Sequence, residues 1–134
     1  MPKVVETTAV ITATFPANLP ANNKVYANIQ LDPALAAATQ VTVPVNEAWV
    51  IEDLYVSTSQ TPDAILEFVK NLTDVKLRSA PINGCLVTNV ARPKITPVMF
   101  GGADILTIVA QNLAAIGASA ATITAFIKIK RFIS

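Results

Sequence analysis

No histidine occurs in the 134 residues. Its absence removes Ser-His-Asp and Cys-His catalysis, histidine metal sites and the commonest general base near neutral pH. A single cysteine, Cys85, excludes an intramolecular disulfide and zinc sites of the Cys/His kind. It lies in an apolar run and reads as a buried, inert thiol. The chain has neither a G-x-x-x-x-G-K-[ST] phosphate loop nor a G-x-G-x-x-G turn. Around Asp32, Asp63, Asp74 and Asp104 there is no clustered calcium loop of the D-x-[DN]-x-[DN]-G type. Glu52 and Asp53 are adjacent, but neighbours on a strand point to opposite faces, so they are not expected to act together. A glycosidase needs two carboxyls facing each other across a cleft, and nothing in the spacing of the acids arranges that. The expectation is a non-enzymatic protein with no catalytic residue, metal or cofactor.

Charge is also scarce. Charged residues make up 14% of the chain, against about 25% in ordinary soluble domains. Ten Lys and Arg balance nine Asp and Glu for a net +1, so there is no basic excess of the kind nucleic-acid-binding domains carry. Hydrophobic residues reach 52% and mean hydropathy is +0.50. A membrane-spanning helix needs about 20 consecutive apolar residues. The stretch 113–121 is short and broken by Gly117 and Ser119, and 98–110 is interrupted by Gly101, Gly102 and Asp104. Met1-Pro2-Lys3-Val4-Val5-Glu6 lacks the pattern of a signal peptide, and the Asn71-Leu72-Thr73 sequon carries little weight. A surface so poor in charge implies burial between subunits, with a Thr-, Asn- and Ala-rich monomer surface as the other reading.

What the chain does have is period two, interrupted every 8 to 12 residues by Pro, Gly, Asn or Asp, which is how an antiparallel β-sandwich reads. In 24–31, Val25, Ala27, Ile29 and Leu31 alternate with Lys24, Tyr26, Asn28 and Gln30. In 123–130, Ile123, Ala125, Ile127 and Ile129 alternate with Thr124, Phe126, Lys128 and Lys130. Further strands are expected at 8–15, 40–43, 49–58, 64–70, 75–79, 85–89 and 105–111, all rich in the residues that suit a pleated surface. Asn83-Gly84 is a hairpin signal, and 59–63 and 100–104 are further turns. Asp32-Pro33 before an alanine-rich run predicts at most one short helical turn near residues 33–38. The whole of 1–134 reads as one domain, with 1–23 forming an N-terminal strand or arm and its loop. That strand, with Val10, Ile11 and Phe15, either pairs within its own subunit or reaches into a neighbour.

Lys128, Lys130 and Arg131 form the one basic group. They suit a contact to acidic lipid, nucleic acid or a partner's carboxylates. They equally suit protection of an edge strand against unwanted pairing. Trp49 and Tyr55, placed on one face by the alternation, offer a carbohydrate-stacking pair. Ile51 lies between them on that face, however, which makes Trp49 a core residue.

The segment Asn46-Glu47-Ala48-Trp49-Val50-Ile51-Glu52-Asp53-Leu54-Tyr55-Val56 opens a strand after a proline-containing turn. Phe100-Gly101-Gly102-Ala103-Asp104 leads into a penultimate strand at 105–112. A small-residue loop, 113–119, then precedes the final strand at 120–132. Over about 41–133 this resembles the single jelly-roll structural proteins of icosahedral viruses, including those of archaea and thermophilic bacteria. The resemblance implies an all-β, jelly-roll-like sandwich of about eight to ten short strands. It also implies a capsid, penton, turret or decoration subunit located in the virion. Such a subunit would be a homo-oligomer whose partners are copies of itself and other virion proteins, through contacts at Lys128, Lys130, Arg131, Val10, Ile11 and Phe15. The chain lacks a strongly basic N-terminal arm, so direct nucleic-acid packaging is not expected. Its length leans toward a minor or accessory role. The competing expectations are an extracellular filament or surface-layer subunit assembling by strand addition, and a carbohydrate-binding module using Trp49, Tyr55 or Tyr26.

Overall fold

The computed structural model describes residues 3–57, 63–82, 86–87, 90–91, 93 and 95–134. Twelve strands are defined among them, and no helix. They are β1 (Lys3–Phe15), β2 (Lys24–Tyr26), β3 (Asn28–Gln30), β4 (Val41–Thr42), β5 (Glu47–Ser57) and β6 (Ala64–Lys70). The second half contributes β7 (Asp74–Arg78), β8 (Leu86–Val87), β9 (Val90–Ala91), β10 (Val98–Phe100), β11 (Ile105–Asn112) and β12 (Ala121–Ile133).

The strands form two antiparallel sheets. One has seven strands in the order β3-β1-β12-β5-β9-β8, with β10 also on β5; the other has five in the order β2-β11-β6-β7, with β4 on β11. The pairing is nested. The first strand lies beside the last, β2 beside the penultimate β11, β5 beside β9 and β10, and β6 beside its successor β7. A long hairpin wound on itself pairs this way, and the result is the double-sheet jelly roll.

Alternation decides what lies between the sheets. Ala9, Ile11, Ala13 and Phe15 of β1 face inward with Ile123, Ala125, Ile127 and Ile129 of β12. Trp49, Ile51, Leu54 and Val56 of β5 meet Leu66 and Phe68 of β6 and Leu106, Ile108 and Ala110 of β11 in the same cluster. Burial of this aliphatic and aromatic surface is the main stabilising term, at roughly 25 cal/mol per Å² removed from water.

Several expectations need correction. The step from Trp49 through Ile51 to Leu54 contains a β-bulge: Ile129 pairs with Ile51 but Lys128 pairs with Asp53, leaving Glu52 extra. A bulge puts two residues opposite one, so Glu52 and Asp53 share the outer face instead of opposing each other. The same shift turns Tyr55 outward while Trp49 stays inside. In 31–38 there is a turn but no helical element. Asp32 O accepts Leu35 N–H at 2.9 Å and its Oδ1 accepts Ala34 N–H at 2.8 Å, after which Ala38 bridges back to Ile29. The strand expected at 24–31 is divided at Ala27, whose N–H bonds Ile108 O of β11 beside β2, while β3 passes to the seven-stranded sheet. Asn83-Gly84 and Cys85 lie outside the described residues.

The loop 16–23 is tied down. Asn112, fully buried, accepts Asn23 N–H through Oδ1 at 2.9 Å, and its Nδ2 donates to Pro20 O at 3.0 Å and Ala114 O at 2.8 Å. Asn18 N–H to Gly117 O and Ile116 N–H to Leu19 O join the same two loops. Asn18 and Asn22 take positive φ, which asparagine tolerates better than most residues.

Candidate assembly surfaces

The outer face of the seven-stranded sheet is banded, as set by the registers of β12 with β1 and β5. At one end Phe132 lies between Val4 and Ala48, and Met99 sits beside Val50 on β10. Met99 is 63% exposed, Val4 53% and Phe132 39%, so this is an apolar patch facing solvent. The middle band is charged. Lys130 Nζ lies 3.2 Å from Glu52 Oε1 and Lys128 Nζ 3.7 Å from Glu6 Oε2, with Asp53 across from Lys128. Beyond it run Val10, Phe126 and Tyr55, and then paired threonines, among which Thr14 and Thr122 hydroxyls are 3.2 Å apart.

The residues singled out from the sequence are therefore dispersed. Lys128 and Lys130 share the outer face, but β12 lies between β1 and β5, so they protect no edge; they cross-link neighbouring strands. Arg131 points the other way, into the end of the sandwich. Its Nε donates to Glu47 Oε1 at 2.7 Å, and its guanidinium stands 5.7 Å from the Trp49 ring centre. The Trp49 indole N–H donates to that same oxygen at 3.1 Å. The Arg131 hydrogen bond holds the Glu47 carboxyl below its ordinary pKa against the opposing effect of burial, with Trp49 adding to the shift. Val10 is half-buried on the outer face, whereas Ile11 and Phe15 are wholly buried in the core of their own chain. All thirteen residues of β1 pair with β12 of the same chain.

The five-stranded sheet presents a feature that alternation alone does not reveal. Glu67 lies on its outer face, between the inward-facing Leu66 and Phe68, yet its side chain is only 2% exposed. Val109 lies opposite it on β11, Tyr26 one strand further, and Arg78 on its other side. Lys24 Nζ is 3.1 Å and Arg78 Nη2 3.2 Å from Glu67 Oε1, and Lys24 also donates to Oε2 at 3.4 Å. Oε1 accepts no well-directed hydrogen bond from either cation, so the two hold it by charge. Around this sunken carboxylate, Tyr26 is 65% exposed and Val75 is exposed too, with Ile65 and Val109 half-buried.

At the turn end of that sheet, Asp104 Oδ2 accepts Gly101 N–H at 2.8 Å and lies 3.4 Å from Lys70 Nζ, while Asn71 Nδ2 donates to Oδ1 at 3.2 Å. The Gly101 N–H, more than the Asn71 amide or the Lys70 charge, depresses the Asp104 carboxyl pKa against burial. Asn71 Oδ1 in turn accepts Ile105 N–H at 2.9 Å. The amide of the sequon is thus engaged in joining the β6–β7 turn to the β10–β11 turn.

Sheet faces and edges, rather than a cleft of converging polar groups, are what the described residues offer a partner. Among them, no three His, Cys, Asp or Glu side chains converge as a metal-binding group, and no helix is long and apolar enough to cross a membrane. The chain is an antiparallel jelly-roll β-sandwich. Neither the known family models nor the curated proteins match its sequence.

Proposed function

We propose that this chain is a virion structural protein, a capsid or accessory shell or vertex subunit that works by self-assembly and subunit contacts rather than by catalysis. The observation that carries the reading is the nested strand order, β1-β12-β5-β9 against β2-β11-β6-β7, the arrangement found in viral shell and lectin domains. Two further features support it. Charge is low over the whole chain, and the outer faces of both sheets expose apolar side chains, among them Met99, Val4, Phe132 and Tyr26. Exposed apolar patches on a folded surface mark contact sites. Its partners are copies of itself and other virion proteins.

The carbohydrate-binding alternative finds less support, since Trp49 is buried and Tyr55 lies on the other face of its strand. Tyr26, on the second sheet, stands without them. Negative-stain imaging of the purified protein at high concentration tests the proposal. Closed rings or shells of uniform size are expected; open fibres would move the reading to a filament subunit.

A further inference from the structure

Among the described residues, the outer edge of β1 is unpaired along more than half its length. Ile29 and Ala38 exchange both backbone hydrogen bonds, at 2.7 and 3.0 Å, so the peptide groups of Ile29 point away from β1. β3 therefore bonds β1 through Asn28 and Gln30, which stand opposite Thr12 and Val10. Direction alternates along an antiparallel ladder, and the even-numbered residues of β1 thus aim N–H and C=O at the β3 side. β3 ends at Gln30. Among the described residues, no strand continues that edge past Thr8, Glu6 and Val4. The edge strand of the other sheet differs: β7 carries Asp74, Lys76 and Arg78 and a bulge against β6, the usual protections against pairing.

The geometry points to a second copy of this chain as the occupant, its β1 antiparallel to the first about a two-fold axis at Val5, so that two seven-stranded sheets run on as one. A two-fold normal to the sheet keeps both inner faces on one side and sets residues of equal parity opposite each other. A register centred on Glu6 would place that carboxylate against its own copy, which is unfavourable for directly opposed like charges. One centred on Thr7 would drive Val4 of the second copy onto Val10, where Gln30 already sits. One centred on Val4 would leave, among the described residues, a single bonding pair, Val4 with its own copy. The register at Val5 avoids all three. Val4 then opposes Glu6 of the second copy in two symmetric pairs, about four backbone hydrogen bonds in all.

A second feature favours the same occupant. Val4 is exposed, and this axis sets it diagonal to its own copy, about 7–8 Å away, so that the two valines leave water together. The contact is small, so it is weak between two isolated molecules and gains strength when repeated around a closed particle. It deepens the assembly reading and rests on it.

The test uses single cysteines in a Cys85→Ser background under mild oxidation. At the axis, the two copies of residue 5 form a non-hydrogen-bonded pair with Cα atoms roughly 4.5 Å apart, within disulfide reach. Val5→Cys is expected to give a disulfide-linked dimer, and Thr14→Cys, exposed near the far end of β1, is not. Adding Glu6→Pro should abolish the Val5→Cys dimer, because it removes a donor on the open edge without removing one to β12. Equal cross-linking of Val5→Cys and Thr14→Cys overturns the proposal. Assembly of the unmodified chain with no Val5 cross-link overturns the edge contact alone. A monomer at every concentration, with no cross-link, overturns the assembly reading as well.

Discussion

Arg131 Nε and Glu47 Oε1, 2.7 Å apart, close one end of the sandwich from strands 84 positions apart in sequence, with the Trp49 indole N–H on the same oxygen. Most of the Glu47 side chain is out of water, so removing its charge strands the cation. Glu47→Gln is expected to lower stability by about 2–4 kcal/mol at neutral pH. The folded pKa of Glu47 lies below its ordinary 4.5, so the pair's contribution is complete above that value and is lost as pH falls through the folded pKa. Denaturant melts should therefore show wild type and Glu47→Gln converging at acid pH.

Glu67 predicts non-additivity. Either cation can hold the buried carboxylate while the other is absent, and Lys24 and Arg78 are themselves well exposed. Lys24→Ala and Arg78→Ala should each cost less than about 1 kcal/mol. The double variant leaves a buried charge unpaired and should cost about 3 kcal/mol, well above the sum. Chemical denaturation of the four proteins measures the coupling.

The turn before β11 predicts opposite signs at neighbouring positions. A Cβ on Gly102 would lie 2.6 Å from Val45 O, so Gly102→Ala should destabilise by about 1–3 kcal/mol. Ala103, not the glycine, holds the left-handed conformation at φ 69°. Ala103→Gly should raise stability by about 0.5 kcal/mol, the relieved strain being partly offset by unfolded-chain entropy. Thermal melts of the two variants should move in opposite directions.

Asn112→Ala removes the side chain that joins loops 16–23 and 113–119. Loss of this buried polar link should cost about 2–4 kcal/mol, with hydrogen exchange rising first in those two loops.

The residues reveal much of this fold. The runs 64–70 and 105–111, rich in residues that suit a pleated surface, coincide with β6 and most of β11. Where a strand is too short to alternate, as with Val98–Phe100 between Pro97 and Gly101, the pattern gives no signal. The first residues of β1 escape for another reason: Val4-Val5 and Thr7-Thr8 break the alternation, and among the described residues the distant β12 is what pairs with them. The β5 bulge is unmarked by glycine or proline, so Glu52, Asp53 and Tyr55 could not be assigned to faces by counting. Of the contact residues, period two places Lys128 and Lys130 on one face, while the burial of Glu67 depends on cations from two other strands and has no local signature.

The central claim is that this surface is made to be covered by other copies. Light scattering coupled to size exclusion, run over a wide concentration range, tests it most directly. The account predicts a mass that rises above that of the 14.2 kDa chain to a discrete multiple as concentration increases. A constant monomer mass across the range would contradict it.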